Sequence, residues 1–152
     1  MREHIGREHP TEGVRIFRGQ PTIVFATICS RNRRPNLANP HVHDALLASW
    51  REAGAWLVGF YLIMPDHVHL FCAPADQDCA IEQWITFSKR RVRHHLQAKA
   101  PAFQAHGFHH RLRRSENYHD KWEYVRMNPV RASLVQNPED WPYQGLLNEL
   151  RW

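Results

Sequence analysis

Two strand-like runs lie back to back near the middle of the chain, and they constrain its fold more than any other feature. The runs are Trp56 to Met64 and His67 to Ala73, both rich in apolar, β-branched and aromatic residues. Only Pro65-Asp66 separates them, and a pair of turn residues between two strands indicates a β-hairpin. The chain is therefore predicted to fold around an antiparallel pair of strands.

A strand pattern and then a helix pattern precede this hairpin. The apolar stretch from Thr22 to Cys29 is typical of a first strand. Asn39 followed by Pro40 predicts a helix start, with asparagine as N-cap and proline in the first turn. The helix is expected to end at Gly54, and its apolar stripe consists of Leu46, Leu47, Trp50 and Ala53.

A helix and a strand also follow the hairpin. Asp76 or Asp78 is predicted to cap the second helix, and Gly107 to Arg113 reads as a short fourth strand. A further helix is expected from Ser115 to about Asn128, where the Asn128-Pro129 pair stops it. The order β-α-β-β-α-β predicts an α+β, ferredoxin-like fold, with an antiparallel sheet, helices on one face and an extra C-terminal helix. The apolar stripe of the second helix consists of Ile81, Trp84, Ile85, Ser88, Val92 and Leu96.

Length and composition restrict the class of protein. The 152 residues give room for a single domain, with residues 1–19 as a polar lead-in and residues 129–152 as a tail. No run resembles a membrane helix, and Met1 to Pro10 lacks the apolar stretch of a secretory signal, so we expect a cytoplasmic protein. The three cysteines have no zinc-site spacing and predict neither a disulfide scaffold nor a thiolate zinc site.

Positive charge is concentrated in one segment of the chain. Of the 20 basic residues 17 are arginine, whose planar guanidinium can donate two hydrogen bonds to phosphate oxygens. Genomic base composition can also produce such an excess of arginine over lysine. No acidic residue occurs from Gln83 to Ser115. This pattern predicts a nucleic-acid footprint, and the alternative is a solvated helix end whose cations offset the helix dipole. The candidate DNA contacts are Lys89, Arg90, Arg91, Arg93, Arg111, Arg113, Arg114 and Lys121.

The triplet His-Val-His occurs twice, at His41 to His43 and at His67 to His69. On a helix, residues two apart point about 200° away from each other, so the first pair cannot hold one ion together. On a strand they share a face, and His67 and His69 are expected on the face opposite the helices. Two neutral imidazoles there can bind a divalent metal, and the alternative is two exposed polar residues on a half-buried strand.

A tyrosine on the last predicted helix lies away from its core-facing side. With about 100° per residue, Tyr124 lies roughly 130° from the centre of the core stripe. Its neighbours on that side include Lys121 and Asn128, so phenol, cation and amide together have the parts of a phosphodiester-attacking nucleophile. The alternative is a surface tyrosine on an amphipathic helix. The core stripe itself consists of Tyr118, Trp122 and Val125.

Two motifs carry a family resemblance. The segment Met64 to Leu70 resembles the HUH signature, histidine-hydrophobic-histidine, of single-strand DNA endonucleases. The segment Glu123 to Arg131 resembles the tyrosine helix of the REP-associated tyrosine transposases, insertion-sequence transposases that use one catalytic tyrosine. The match runs from the first strand to the Trp141-Pro142-Tyr143 tail, and the two motifs are specific only in combination.

The resemblance implies residue roles. By motif position His67 and His69 are metal ligands, Tyr124 is the nucleophile, and Asn128 fills the place of a third ligand, where some relatives have glutamine. The implied cofactor is a divalent metal, and imidazole with amide and phosphate oxygen suits manganese or magnesium. The implied tyrosine chemistry is a phosphotyrosine intermediate that stores the phosphodiester for rejoining.

The resemblance also implies a substrate. It is single-stranded DNA that is cleaved and rejoined next to a REP-like hairpin. The protein is expected to be a monomer or homodimer that does not bind a membrane. Its expected location is the cytoplasm, in association with the nucleoid. One alternative is a sequence-specific nucleic-acid-binding protein that keeps the fold but has lost cleavage. A second is a metal-dependent hydrolase of small phosphate esters, which needs the histidines but not the tyrosine.

Overall fold

The computed structural model describes residues 22–113 and 118–150. The predicted lead-in 1–19, Arg114 and the predicted helix start at Ser115 lie outside the described residues. Within the described ranges, no helix is both long enough and apolar enough to span a bilayer. The strands are β1 (Val24–Cys29), β2 (Trp56–Ile63), β3 (His67–Pro74), β4 (Phe108–Arg111) and β5 (Gln144–Leu146), and the α-helices are α1 (Pro40–Glu52), α2 (Ile81–Leu96), α3 (Tyr118–Arg126) and α4 (Asn128–Arg131).

The strands form one antiparallel sheet in the order β4-β1-β3-β2-β5. The predicted hairpin is β2 and β3, and β1 pairs with β3 on its other side. The first four strands thus have the ferredoxin-like arrangement that the sequence predicts. The chain is an α+β protein whose central strand, β3, carries the second His-Val-His triplet.

Alternate residues of β3 contribute to two cores, one on each face of the sheet. Val68 and Leu70 are fully buried in the larger core with residues of α1 and α2, such as Trp84. Phe71 belongs to a second core on the opposite face, together with Val125 of α3. The period-2 pattern of the strand therefore separates the face covered by α1 and α2 from the face that carries the histidines, as predicted. The histidine face is not fully open, because α3 packs on part of it.

The first helix begins as the sequence predicts. The Asn39 side chain accepts a hydrogen bond from the backbone N–H of Val42 at 3.0 Å, and Pro40 occupies the first helical position. The predicted cap of the second helix is wrong. Ala80 is the N-cap of α2 and offers no side-chain acceptor, because Asp76 instead accepts a bond from the N–H of Asp78 and forms a turn before the helix.

The C-terminal part of the chain differs from the prediction in two respects. Helix α3 ends at Arg126, but Asn128-Pro129 begins the short helix α4 instead of stopping helical structure, because proline is tolerated in a first turn. The tail then returns to the sheet as β5, a fifth strand that the sequence analysis did not predict. Its three residues are too few to show an alternating pattern.

Strand β2 contains an irregularity that determines how α3 packs. Its register against β3 shifts between Val58 and Tyr61, so both of these residues face the larger core although they are three apart. Phe60, which precedes Tyr61, therefore faces α3. The ring of Phe60 stacks on Trp122 with centroids 5.1 Å apart. At Gly59 an added Cβ would lie 2.7 Å from both the Tyr118 Oη and the Leu150 Cδ1, so glycine permits the close approach of α3 and the tail.

Gly59→Ala is therefore expected to destabilise the protein by about 1–3 kcal/mol, the usual range for overpacking. The new methyl group would push against Tyr118 and displace α3. Gly54→Ala is the matched control, because a Cβ there meets nothing within 4 Å. Urea denaturation of both variants measures the effect, and equal stabilities would show that α3 does not rest on this glycine.

Candidate metal and nucleophile site

The predicted metal ligands are neighbours on the sheet. The rings of His67 and His69 lie with their centroids 4.5 Å apart, edge to face. Each ring is oriented by a partner at Nδ1: His67 donates to the Asp66 carboxylate at 2.7 Å, and His69 bonds the Thr27 hydroxyl at 2.9 Å. An imidazole whose Nδ1–H is bonded in this way presents the lone pair of Nε2, as metal-binding histidines usually do.

Burial and nearby positive charge keep the imidazole of His69 neutral. Burial, followed by the positive charges of His67, Arg131 and Arg33, lowers the pKa of His69 to about 3. Although burial alone would raise the pKa of Asp66, its hydrogen bonds to His67 and Arg33 lower it overall. At neutral pH the site therefore holds a neutral imidazole and an ionised carboxylate behind the other ring.

The donor set fits a divalent metal that keeps open positions. Within residues 22–113 and 118–150, no three or more histidine, cysteine, aspartate or glutamate side chains form a closed metal cluster. Two Nε2 atoms with oriented rings, plus an amide oxygen, leave room for substrate oxygens, as a catalytic site requires and a structural site does not. Asn128 is the amide that the sequence offers, and its Oδ1 accepts a hydrogen bond from Arg131.

Tyr124 is exposed, as its helical phase predicts. Its side chain is 67% exposed, the largest fraction among the large hydrophobic residues of the described chain. The Arg131 guanidinium lies over the ring, with Cζ 4.1 Å from the ring centroid, and donates to the Tyr124 backbone oxygen at 2.8 Å. The phenol is thus oriented by a cation that also bonds Asn128.

A ring contact connects the tyrosine helix to the histidine pair, and a charge on the following helix α4 adds to it. The charge of Arg131 contributes to the lowered pKa of His69. Phe25 of β1 stacks on His69 with centroids 5.2 Å apart, and Lys121 of α3 places Nζ 5.5 Å from the centre of the same Phe25 ring. Imidazoles, phenol, amide and two cations therefore share one face of the sheet.

Comparison with known proteins agrees with the fold and with the family resemblance. The chain is 26% identical over 127 residues to the REP-associated tyrosine transposase of Escherichia coli K12, covering 78% of this chain and 73% of that protein. It superposes on the structure of a REP-associated tyrosine transposase bound to a REP hairpin with a TM-score of 0.68 and 22% identity, covering 86% and 79% of the two chains. The resemblance to the REP-associated tyrosine transposases is confirmed. No protein-family model matches the chain.

The basic residues that were predicted to contact DNA do not form one surface. Lys121 lies beside the histidine pair, on the face that carries the tyrosine helix. Helix α2 packs on the opposite face, where Lys89 donates to the Gln104 carbonyl at 2.8 Å and Arg91 pairs with Glu52 at 2.9 Å. Arg90 and Arg93 are exposed on that helix, and Arg113 is exposed after β4.

Arg111 also belongs to the α2 side of the sheet. It pairs in register with Val24, whose side chain lies in the larger core with α2. Directly paired residues of antiparallel strands share a face. The acid-free segment of this chain thus places cations on the α2 side of the sheet, and Lys121 of α3 lies on the other side. We call these the two cationic layers: Arg90 and Arg93 on α2, and Lys121 on α3.

The first His-Val-His triplet lies on α1, as predicted. His41 is exposed, but the Nε2 of His43 lies 2.7 Å from the Tyr61 Oη, so this histidine belongs to the packing between α1 and the sheet. Burial raises the pKa of Tyr61 to about 12 and lowers that of His43. The two histidines diverge and do not share a site.

Sequence reasoning missed three residues of the candidate site. Arg131 follows Asn128 by three residues and Tyr124 by seven, a helical spacing that brings all three to one side and could have identified it. The sequence places Asp66 only in the hairpin turn, although a carboxylate beside a metal-binding histidine commonly accepts a hydrogen bond from the ring and orients it. Thr27 had no sequence signal, since only the strand register places it beside His69.

Proposed function

We propose that this chain is a metal-dependent endonuclease and strand transferase that cleaves and rejoins single-stranded DNA next to hairpins. The observation that carries the proposal is the position of Arg131. It touches the exposed Tyr124 and the amide of Asn128, and its charge acts on His69. A nucleophile, an amide and a cation for a phosphate thus lie together, and their cation acts electrostatically on one of the two proposed histidine ligands.

His67 and His69 would hold the divalent metal through Nε2, and Asn128, at the start of α4 just after the tyrosine helix, would complete the set. Manganese or magnesium suits imidazole combined with amide and phosphate oxygens. When bound, the metal withdraws negative charge from a scissile phosphate and makes its phosphorus open to attack. Asp66 and Thr27 support this by fixing which nitrogen each ring presents.

The Tyr124 oxygen attacks the phosphorus, and the bond between phosphorus and the leaving nucleotide oxygen breaks. The phenol proton passes to solvent, and the leaving oxygen takes up a proton as its hydroxyl forms. The phosphotyrosine keeps one phosphodiester in place of another, so a second hydroxyl can reverse the step without ATP. Arg131 and Lys121 offset the charge of the phosphate while this occurs.

The hairpin partner is proposed from the solved relative, which is bound to a REP hairpin. A hairpin has a duplex stem and unpaired flanks, and the two cationic layers of this chain suit both parts. Lys121 lies beside the proposed scissile phosphate and contacts the unpaired strand. Arg90 and Arg93, exposed on α2, contact the stem. The expectations of a monomer or homodimer and of a cytoplasmic, nucleoid-associated protein stay predictions.

The function is tested by incubating the protein with hairpin oligonucleotides that carry single-stranded flanks, with manganese present. A denaturing gel should show a covalent protein–DNA adduct together with one shortened strand. Hairpin binding without any adduct would support the cleavage-inactive binding protein instead. Hydrolysis of a small phosphate ester without an adduct would support the hydrolase.

The two cationic layers predict separate effects on the salt dependence of binding. Lys121→Gln should reduce the slope of log affinity against log salt by about 0.7 for an unpaired oligonucleotide, the value for one phosphate contact on a single strand. Arg90→Gln with Arg93→Gln should reduce it by about 0.9 per contact for a hairpin and leave the unpaired oligonucleotide unaffected. Fluorescence anisotropy titrations at roughly 50 to 200 mM salt measure both slopes. Slopes unchanged in every variant would place the DNA elsewhere.

A further inference from the structure

We infer that Phe108 is a stacking platform for one nucleobase of the single strand, next to the scissile phosphate. The inference rests on the proposed function and adds a subsite to it. Its ligand is an unpaired base, since the flat face of any base can stack on an exposed aromatic ring.

Phe108 lies on the edge strand β4 and is 51% exposed, the largest fraction after Tyr124 among the large hydrophobic residues of the described chain. It pairs directly with Thr27 of β1, which in turn pairs with His69 of β3. Directly paired residues share a face of the sheet. Phe108 therefore lies on the histidine face, two strand spacings or about 10 Å from His69.

A row of rings joins Phe108 to the histidine pair. Its centroid lies 6.0 Å from that of His110, which lies 5.9 Å from Phe25, which lies 5.2 Å from His69. The row thus begins at an exposed ring on the sheet edge and ends at a predicted metal ligand. A single exposed phenylalanine is ordinary on a protein surface, but this one continues directly into the site.

Charge on the same face favours a nucleotide as the occupant. Lys121 lies over Phe25, in the middle of the row, where it can meet a phosphate while the ring at the edge receives the adjacent base. Base stacking and phosphate attraction are the two forces that bind single strands without sequence readout. Phe108 can supply the stacking and Lys121 the phosphate attraction. The two lie along the same row of rings, as a base and its adjacent phosphate follow one another along a nucleotide chain.

The test uses the full chain carrying Tyr124→Phe, so that bound DNA stays intact, and hairpin oligonucleotides with 2-aminopurine at successive flanking positions. One position should show quenched fluorescence on binding. Phe108→Ala should abolish that quenching and weaken binding about 5- to 150-fold, the effect of losing one stacked base. Phe108→Trp should restore both. Phe87→Ala is the matched control for the quenching, because Phe87 is another exposed phenylalanine, on α2. Arg90 lies over the Phe87 ring, so the effect of this variant on stem affinity is not used.

Three results would overturn the inference. Equal quenching and affinity in Phe108→Ala and its parent would refute the platform while leaving the proposed function intact. A loss of quenching matched by Phe87→Ala, or a loss of binding accompanied by an equal loss of thermal stability, would show a general structural effect. Failure of the parent protein to bind any hairpin oligonucleotide would instead refute the proposed function, and this subsite with it.

Discussion

Tyr124→Phe should abolish both strand cleavage and the covalent DNA adduct while leaving hairpin binding nearly unchanged. The substitution removes one hydroxyl from a side chain that is 67% exposed, so it disturbs no core packing. The ring that Arg131 covers is retained. Loss of a nucleophile typically reduces turnover by several orders of magnitude, about 10⁴-fold or more. Denaturing gels and binding titrations on the same samples measure the two effects.

Tyr118→Phe is the control for this experiment. Tyr118 lies on the same helix but is half-buried in the second core, where its oxygen accepts a bond from the Phe60 N–H at 3.5 Å. Burial raises its pKa above the ordinary tyrosine value, which makes it a poor nucleophile. This variant should still form the adduct. An adduct that persists in Tyr124→Phe and is lost in Tyr118→Phe would reverse the assignment.

His67→Ala and His69→Ala should each eliminate metal-dependent cleavage. Either change leaves one imidazole and one amide, too few ligands to hold manganese or magnesium at ordinary concentrations. Calorimetric titration with manganese provides a readout independent of catalysis, and it should show no binding to either variant. Tight manganese binding by His67→Ala would show that the ion is held elsewhere.

His41→Ala is the control for the histidine variants. It removes an imidazole from the duplicated triplet, and the side chain is exposed on the first turn of α1. Cleavage and manganese binding should stay at the wild-type level. His43→Ala is a less suitable control, because it would remove the partner of the Tyr61 hydroxyl and lower stability by about 1 kcal/mol.

The parts of the fold that the sequence predicts are those governed by short repeating patterns. Alternation along His67 to Cys72 correctly separates the core side from the site side of β3. Helical phase correctly separates Tyr124 from Val125, which lies in the second core. Both depend only on the backbone period of 2 or 3.6 residues, which every chain obeys.

The parts that the sequence does not predict depend on contacts between distant segments. The second strand pairing of β2, made by Gln144–Leu146, exists only because the tail returns to an edge that the sequence does not identify. Thr27 reaches His69 through strand register across 42 residues. The register shift in β2 likewise follows from packing against α3 and has no local signal except Gly59.

The tyrosine helix meets the sheet through side chains in the described part of the chain. The Tyr118 oxygen accepts from the Phe60 N–H of β2, the Tyr118 ring packs on Phe71 of β3, and Lys121 lies over Phe25 of β1. The histidines instead belong to the central strand, which is paired with a neighbouring strand on both sides. Nucleophile and ligands therefore lie in units held by different kinds of contact, and units of this kind open separately. Mild denaturant should release the helix before the sheet unfolds, so cleavage would be lost while the protein still appears folded.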